Sequence, residues 1–95
     1  MRLEFSGEMW SWRGPSPFHF ITVPPDESAE LQTAASLVTY GWGMIPVTAL
    51  VGGTEWTTSL FPKDGGYVLP NKDLVRKGEE LEVGDVVAVQ LSVDI

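Results

Sequence analysis

The stretch MIPVTALVGGTEWTTSLF, residues 44–61, contains two apolar runs that are separated by Gly52 and Gly53. Two adjacent glycines allow the positive backbone φ angles that a tight two-residue hairpin turn requires. The runs on either side are rich in β-branched and aromatic residues, which favour extended chain. The stretch therefore predicts two antiparallel strands, 44–51 and 54–61, joined by a hairpin.

Further strands are predicted on both sides of this hairpin, because apolar residues alternate there with a period of two. The first strand is interrupted by Gly7, where a bend or bulge is expected, and it ends at the Gly/Pro-rich segment 13–17. These strands cover the N-terminus (Leu3, Phe5 and Met9 on one face), residues 18–23, residues 67–69 and the C-terminus (Val87, Val89, Leu91 and Val93 on one face).

A helix of about a dozen residues is predicted after Pro24-Pro25-Asp26, because proline is favoured at a helix start. Gly41 and Gly43 end it. Its buried face is marked by apolar residues three to four apart: Leu31, Ala34, Ala35 and Val38.

The two halves of the chain share a spacing, in which Gly-x-x-Trp is followed fourteen residues later by Pro. Each half gives the order strand, loop, strand, proline, helix. A repeated unit of this kind favours a pseudo-symmetric barrel that leaves no open sheet edges. The matching positions are Gly7, Trp10 and Pro24 in the first half, and Gly53, Trp56 and Pro70 in the second.

Composition indicates one folded domain over residues 1–95, since 43% of the residues are hydrophobic and no linker or low-complexity segment is present. The absence of cysteine excludes disulfides and thiolate metal sites. The N-terminus alternates apolar and charged residues, which argues against a signal peptide or membrane span, so a cytoplasmic location is expected. A net charge of −7 opposes binding to nucleic acid or to anionic lipid.

The segment WTTSLFPKDGGYVLP, residues 56–70, continues through Lys72 and residues 75–77 and is followed by the pattern L-x-x-G-D-x-V-x-V over residues 81–89. In these motifs the chain resembles the bacterial DUF1905 family, whose function is unknown, and the resemblance covers nearly the whole chain. It implies a mainly β fold: a small closed or half-open barrel of about six strands, similar to swapped-hairpin and double-split barrels, with one or two short helices. Some members carry a further C-terminal segment related to YdeI/OmpD-associated proteins, and a role supplied by that segment is not expected here.

The strongest candidate site is a basic, glycine-containing stretch. Its glycines let backbone approach a ligand, and a short helix ending at Gly78 is predicted from Pro70-Asn71, with Asn71 as N-cap, so that its N-terminal amides attract an anion. Turn, cap and solvated-face roles explain the same residues without a ligand. The candidate ligand-binding residues are Lys63, Gly65, Gly66, Asn71, Lys72, Arg76 and Trp56.

No catalytic set and no metal site are predicted. The single histidine, His19, lacks the neighbours that zinc requires and is expected to face solvent or to be hydrogen-bonded in a strand. The hydroxyls of residues 57–59 lack an adjacent base and are typical of a strand surface. Trp12 and Trp42 are the tryptophans expected to be exposed, since both adjoin irregular segments.

Three functions stay open on the sequence alone. The favoured one is a noncatalytic binding module, without a cofactor, that contacts an anionic small molecule or a protein partner through the 63–77 face. The alternatives are a dimeric nucleic-acid-binding barrel, which the acidic charge disfavours, and an enzyme that acts on a small polar substrate. A homodimer is a further possibility, because pairing protects strand edges, and no membrane association is expected.

Overall fold

The computed structural model describes residues 1–12, 18–38 and 43–93, and for residues 36–38 it describes the backbone alone. The strands are β1 (Arg2–Trp12), β2 (Phe18–Thr22), β3 (Ile45–Val51), β4 (Thr54–Lys63), β5 (Gly66–Asn71) and β6 (Val86–Ser92). The helices are α1 (Pro25–Val38) and α2 (Asp73–Gly78).

The strands form a closed barrel in the order β1-β2-β5-β4-β3-β6, and every neighbouring pair is antiparallel. The mainly β fold with two short helices is therefore confirmed, and of the two barrel forms expected the closed one is observed. The predicted hairpin between β3 and β4 is present, with Gly52 at a φ of +57°.

The two longest strands each change partner along their length. In β1, residues 2–8 pair with β6 and residues 9–12 pair with β2. In β4, residues 54–60 pair with β3 and residues 61–63 pair with β5. Each long strand thus belongs to both halves of the wall, and this closes the barrel.

The barrel has an internal two-fold relation at the level of its elements. Exchanging β1 with β4, β2 with β5 and β3 with β6 reproduces the same set of strand neighbours. The repeated order of strands and helix is therefore observed. The matched tryptophans are not equivalent, because Trp10 is half-buried and hydrogen-bonds to Thr22, whereas Trp56 is buried in the core.

The core is built from the inward-facing residues of all six strands and from α1. In β6 the predicted apolar face is confirmed: Val87, Val89 and Leu91 are buried, as is Val93 just beyond the strand. Leu31 of α1 is fully buried, and Ala34 and Ala35 are buried beside it, as predicted. The predictions for the side chain of Val38 and for the segments 13–17 and 39–42 lie outside the described residues.

Two local expectations need correction. Of the bend or bulge expected at Gly7, the bulge is absent, because the β1–β6 ladder keeps a regular register from Arg2–Ser92 to Glu8–Val86. Asn71 does not cap α2: it is the last residue of β5, and Lys72 occupies the N-cap position without a side-chain hydrogen bond. The proline that suggested a helix start, Pro70, lies inside β5 near the end of the strand, where it has no N–H to donate to a neighbouring strand.

Gly7 has a different role, since it lies next to the point where β1 changes from β6 to β2. A Cβ at this position would overlap the backbone carbonyl oxygen of Thr22. At Gly53, by contrast, an added Cβ would meet nothing within 4 Å.

We therefore expect Gly7→Ala to lower the free energy of unfolding by about 3 kcal/mol, because the clash involves backbone that cannot move aside cheaply. Gly53→Ala is the matched control and should change it by less than about 1 kcal/mol. Urea unfolding of the two variants measures the difference. Equal stability of both would show that β1 and β2 do not approach this closely.

Candidate functional site

The predicted site residues fall in two places. Lys63, Gly65 and Gly66 lie at the turn between β4 and β5, whereas Asn71 and Lys72 lie where β5 ends and α2 begins. Six residues of extended chain separate Gly66 from Lys72, which is about 20 Å. The structure therefore does not bring the predicted stretch together into one site.

The first group lines a cleft between α1 and the β4–β5 turn, which we call the hairpin cleft. Its volume is about 540 Å³. Asp64 and Gly65, at the centre of the turn, have φ angles of 51° and 79°, as in the tight turns that favour hairpins. Gly65 thus has a turn role that requires no ligand, and Gly66 is the first residue of β5.

Lys63 and Ser28, two polar residues of the hairpin cleft, already have partners. Lys63 Nζ lies 2.8 Å from Asp64 Oδ2 and 5.5 Å from the ring centroid of Trp10. The buried Ser28 hydroxyl donates to the Val23 carbonyl oxygen at 3.2 Å and accepts from the Tyr67 amide at 3.3 Å. An incoming anion would therefore have to compete for a lysine that is already compensated.

The second group lines an opening in the barrel wall between β4 and β5, which we call the wall pocket. Its volume is about 520 Å³. Three kinds of side chain meet there: the polar His19, Thr58 and Asn71, the aromatic Phe18, Phe20 and Phe61, and the charged Lys72 and Asp73, together with Pro70.

The opening has a cause in the sequence. The β4–β5 ladder consists of three pairs, from Lys63–Gly66 to Phe61–Val68. Two residues further along β5, the Pro70 carbonyl points towards β4, where it accepts a hydrogen bond from Trp56 Nε1 at 3.2 Å. The N–H and C=O of a residue in an antiparallel strand point to the same side, so the N–H that Pro70 lacks is one that β4 would need.

Trp56 is therefore a structural residue at the edge of the pocket. Its side chain is buried in the core, and its indole N–H joins β4 to β5 beyond the end of the ladder. Trp56 itself does not line the wall pocket.

Three buried polar atoms in or beside the wall pocket have no hydrogen-bond partner among the described residues: Asn71 Oδ1, His19 Nδ1 and Arg76 Nε. Asn71 is only 4% exposed, and its Oδ1 is unpartnered while its Nδ2 donates to Met9 Sδ at 3.2 Å. His19 pairs with Asn71 across the β2–β5 ladder, and its Nδ1 is buried and likewise unpartnered. The expectation that His19 faces solvent or is hydrogen-bonded is thus wrong for Nδ1.

Charged side chains surround these atoms unevenly. Asp73 Oδ1 lies 3.8 Å from His19 Nδ1 and 3.7 Å from Arg76 Nε, so the Arg76 charge is partly compensated. Lys72 is exposed and forms no ion pair with the described residues. Lys72 is therefore the positive charge at this pocket that is available to a ligand.

The outer wall beside the pocket carries several exposed rings. Trp12 is 55% exposed, as predicted, and Phe18 and Phe61 are 60% and 41% exposed. Trp42 lies outside the described residues. The place of His19 in this pocket was not predicted from the sequence. The alternation of side chains along β2 predicted which of its residues share a face. It did not predict which strands lie beside β2, and these are seen only in the strand pairing of the structure.

The described residues contain neither a candidate membrane-spanning helix nor a candidate metal-binding cluster. No helix in this part of the chain is long and apolar enough to span a membrane. No cluster of three or more His, Cys, Asp or Glu side chains that could hold a metal ion is found among these residues.

Comparison with known proteins identifies the family of the chain but no activity. A model of DUF1905, described as a domain of unknown function, matches residues 5–91 of the 95-residue chain. No curated protein matches the chain.

The unpartnered amide of Asn71 allows a test of whether this residue is retained for stability. A buried acceptor without a partner costs about 1–3 kcal/mol, and a bond to a thioether sulfur returns little of it. We expect Asn71→Leu to leave the free energy of unfolding unchanged or to raise it by about 1 kcal/mol. Urea unfolding measures this, and a loss of 2 kcal/mol or more would indicate a purely structural role.

Tyr67, in the hairpin cleft, gives the fold a pH dependence. Burial raises the pKa of its phenol above the ordinary value of 10.0. The folded state then keeps the proton at a pH where the unfolded chain loses it, so this contribution is complete below about pH 10 and is lost as pH rises further. Unfolding at pH 9 and pH 11 should show a smaller loss for Tyr67→Phe than for the wild type. An equal loss in both would mean that Tyr67 does not contribute.

Proposed function

Because the chain belongs to the DUF1905 family, a family of unknown function, we propose a function from its own geometry: it is a noncatalytic binding module that holds a small anionic ligand in the wall pocket. The predicted residues Asn71 and Lys72 would bind it, with Arg76 nearby. The ligand is an anion, as inferred from the sequence, but it would bind only at the end of the basic stretch that contains Asn71 and Lys72.

The observation that supports this most directly is the buried, unpartnered Oδ1 of Asn71. Natural proteins leave few such groups, and each needs an explanation such as a ligand or an ordered water. Asn71 and His19 both line the wall pocket, so a ligand there could supply partners to both. The unpartnered atoms lie beneath the pocket surface, but an Asn side chain rotates easily about its last torsion, and only a weak bond to sulfur opposes this.

The charge of the ligand follows from Lys72. Lys72 lines the pocket and forms no ion pair with the described residues, which favours an anionic group beside it. The net charge of −7 repels anions at long range. A small ligand with one or two charges is therefore favoured over a polyanion.

The other candidates are less well supported. In the hairpin cleft Lys63 is already compensated by Asp64, so that cleft ranks second for an anion. Nucleic-acid binding through the phosphate backbone needs a positive field that the chain lacks. Nucleophilic catalysis would need a base hydrogen-bonded to a nucleophile, and His19 Nδ1 has no such bond to the described residues. A cytoplasmic location and a homodimer stay predictions.

The test is a titration with inorganic phosphate at low ionic strength, followed by amide chemical shifts of the folded protein. We expect shifts at His19, Asn71 and Lys72, and we expect Lys72→Ala to weaken binding by about tenfold, as the loss of a charged hydrogen bond predicts. Lys77→Ala is the matched control, since it removes an exposed lysine of α2 that does not line the pocket.

Two results would contradict the proposal. One is the absence of any response to phosphate in the wild type. The other is a set of shifts centred on the β4–β5 turn that Lys63→Ala abolishes and Lys72→Ala leaves intact, which would place the anion in the hairpin cleft.

A further inference from the structure

Aromatic rings form a large part of the wall pocket, which phosphate alone would not need. Phe18 and Phe61 are large apolar side chains that are exposed, at 60% and 41%. Exposed aromatic rings that cluster are typical of binding surfaces. The anionic ligand of the proposed function is therefore expected to carry an apolar, flat part.

The aromatic lining continues from the pocket onto the outer wall. Phe18, Phe20 and Phe61 also line a shallower groove of about 370 Å³, together with Trp10 and Trp12. Within it, Trp10 and Phe20 stack with ring centroids 5.1 Å apart and an interplanar angle of 30°. These rings are held in place by cross-strand pairing, because Trp10 faces Phe20 and Trp12 faces Phe18 in the β1–β2 ladder.

The polar floor of the pocket matches the edge of a heterocycle. A carboxamide presents a donor and an acceptor in one plane, as Asn does when it binds the edge of adenine with two hydrogen bonds. Asn71 has the acceptor unpartnered and the donor engaged only with sulfur. His19 Nδ1 provides a second unpartnered position next to it.

The volume of the wall pocket and the positive charge of Lys72 fit the same ligand. Small-molecule sites commonly measure about 300–1,000 Å³, and the wall pocket measures about 520 Å³. Lys72 at its rim can contact a phosphate.

Resting on the proposed function, we infer that the ligand of the wall pocket is a nucleotide, whose base stacks on the phenylalanine rings and hydrogen-bonds to Asn71 while its phosphate contacts Lys72. The nucleotide can be a free monophosphate or one residue of a single strand. The net charge of −7 favours the free form, since a strand carries many phosphates.

The experiment compares five probes by calorimetry with the full chain: AMP, adenosine, ribose 5-phosphate, inorganic phosphate and a single-stranded deoxyadenosine decamer. We expect AMP to bind at least about fivefold more tightly than ribose 5-phosphate, since stacking of one base on an aromatic side chain is worth roughly 5- to 150-fold in affinity. A decamer that binds more tightly than AMP, and shows a steep salt dependence, would identify the single strand as the source of the nucleotide.

Substitutions of Phe18 test whether this ring binds the base and not the ribose phosphate. Phe18→Ala should weaken AMP by about tenfold and leave ribose 5-phosphate unchanged. Phe18→Leu keeps the apolar bulk without the ring and should show the same selective loss. Val86→Ala is the matched control, because it truncates an apolar side chain that is 74% exposed on β6 and lines neither the pocket nor the groove. Phe18 is mostly exposed, so its variants are expected to fold, and circular dichroism verifies this.

The outcomes separate this inference from the proposed function. Equal affinity for AMP and ribose 5-phosphate, both weakened by Lys72→Ala, would overturn the nucleotide and keep the anion site. Equal affinity for adenosine and AMP, with no effect of Lys72→Ala, would keep base recognition and overturn the anion. If none of the five probes binds, both are wrong.

Discussion

The closed barrel depends on two long strands that each hydrogen-bond to different neighbours along their length. β1 passes from β6 to β2 between residues 8 and 9, and β4 passes from β3 to β5 between residues 60 and 61. Without these transfers the chain would form separate small sheets with unpaired edges, which invite aggregation. The crowding at Gly7 follows from the first transfer, because there the backbone of β2 comes close to that of β1.

The pairing of β4 with β5 is less complete than the pairing of β1 with β2, and the wall pocket results from this difference. The β1–β2 ladder has four pairs, whereas the β4–β5 ladder has three. Pro70 cannot donate towards β4, and the Trp56 indole joins the two strands there. A two-fold arrangement of elements thus contains one irregular point, and the polar side chains His19, Thr58 and Asn71 all line the opening at that point.

Helix α2 lies beside the wall pocket and is held both by Val75, which is buried in the core, and by polar contacts. Glu79, which follows it, accepts a hydrogen bond from the Thr54 hydroxyl at 2.6 Å, next to the β3–β4 turn. Asp73, in its first turn, lies between His19 and Arg76. The helix therefore sets the charge around the pocket, while Asn71 and His19 leave buried atoms unpartnered beneath it. Groups of this kind cost stability, and proteins usually retain such a cost where they need it for function.

The sequence by itself determined the elements and their inward faces. Alternation in the last strand, the glycine pair at 52–53 and the proline before α1 each act through neighbours a few residues away, and the structure agrees with all three. The family resemblance also predicted the barrel. By contrast, the proline at 70 has the same local signature in a strand as at a helix start, so the sequence started α2 too early and made Asn71 its cap, although the predicted end at Gly78 is observed.

Only the tertiary structure decided where the candidate site lies. The basic stretch is continuous in sequence, but extended chain carries its two ends about 20 Å apart. The wall pocket instead combines β2, β4, β5 and the start of α2. These segments meet because of the strand register, and the register is set by long-range pairing of apolar faces, which local propensity does not specify.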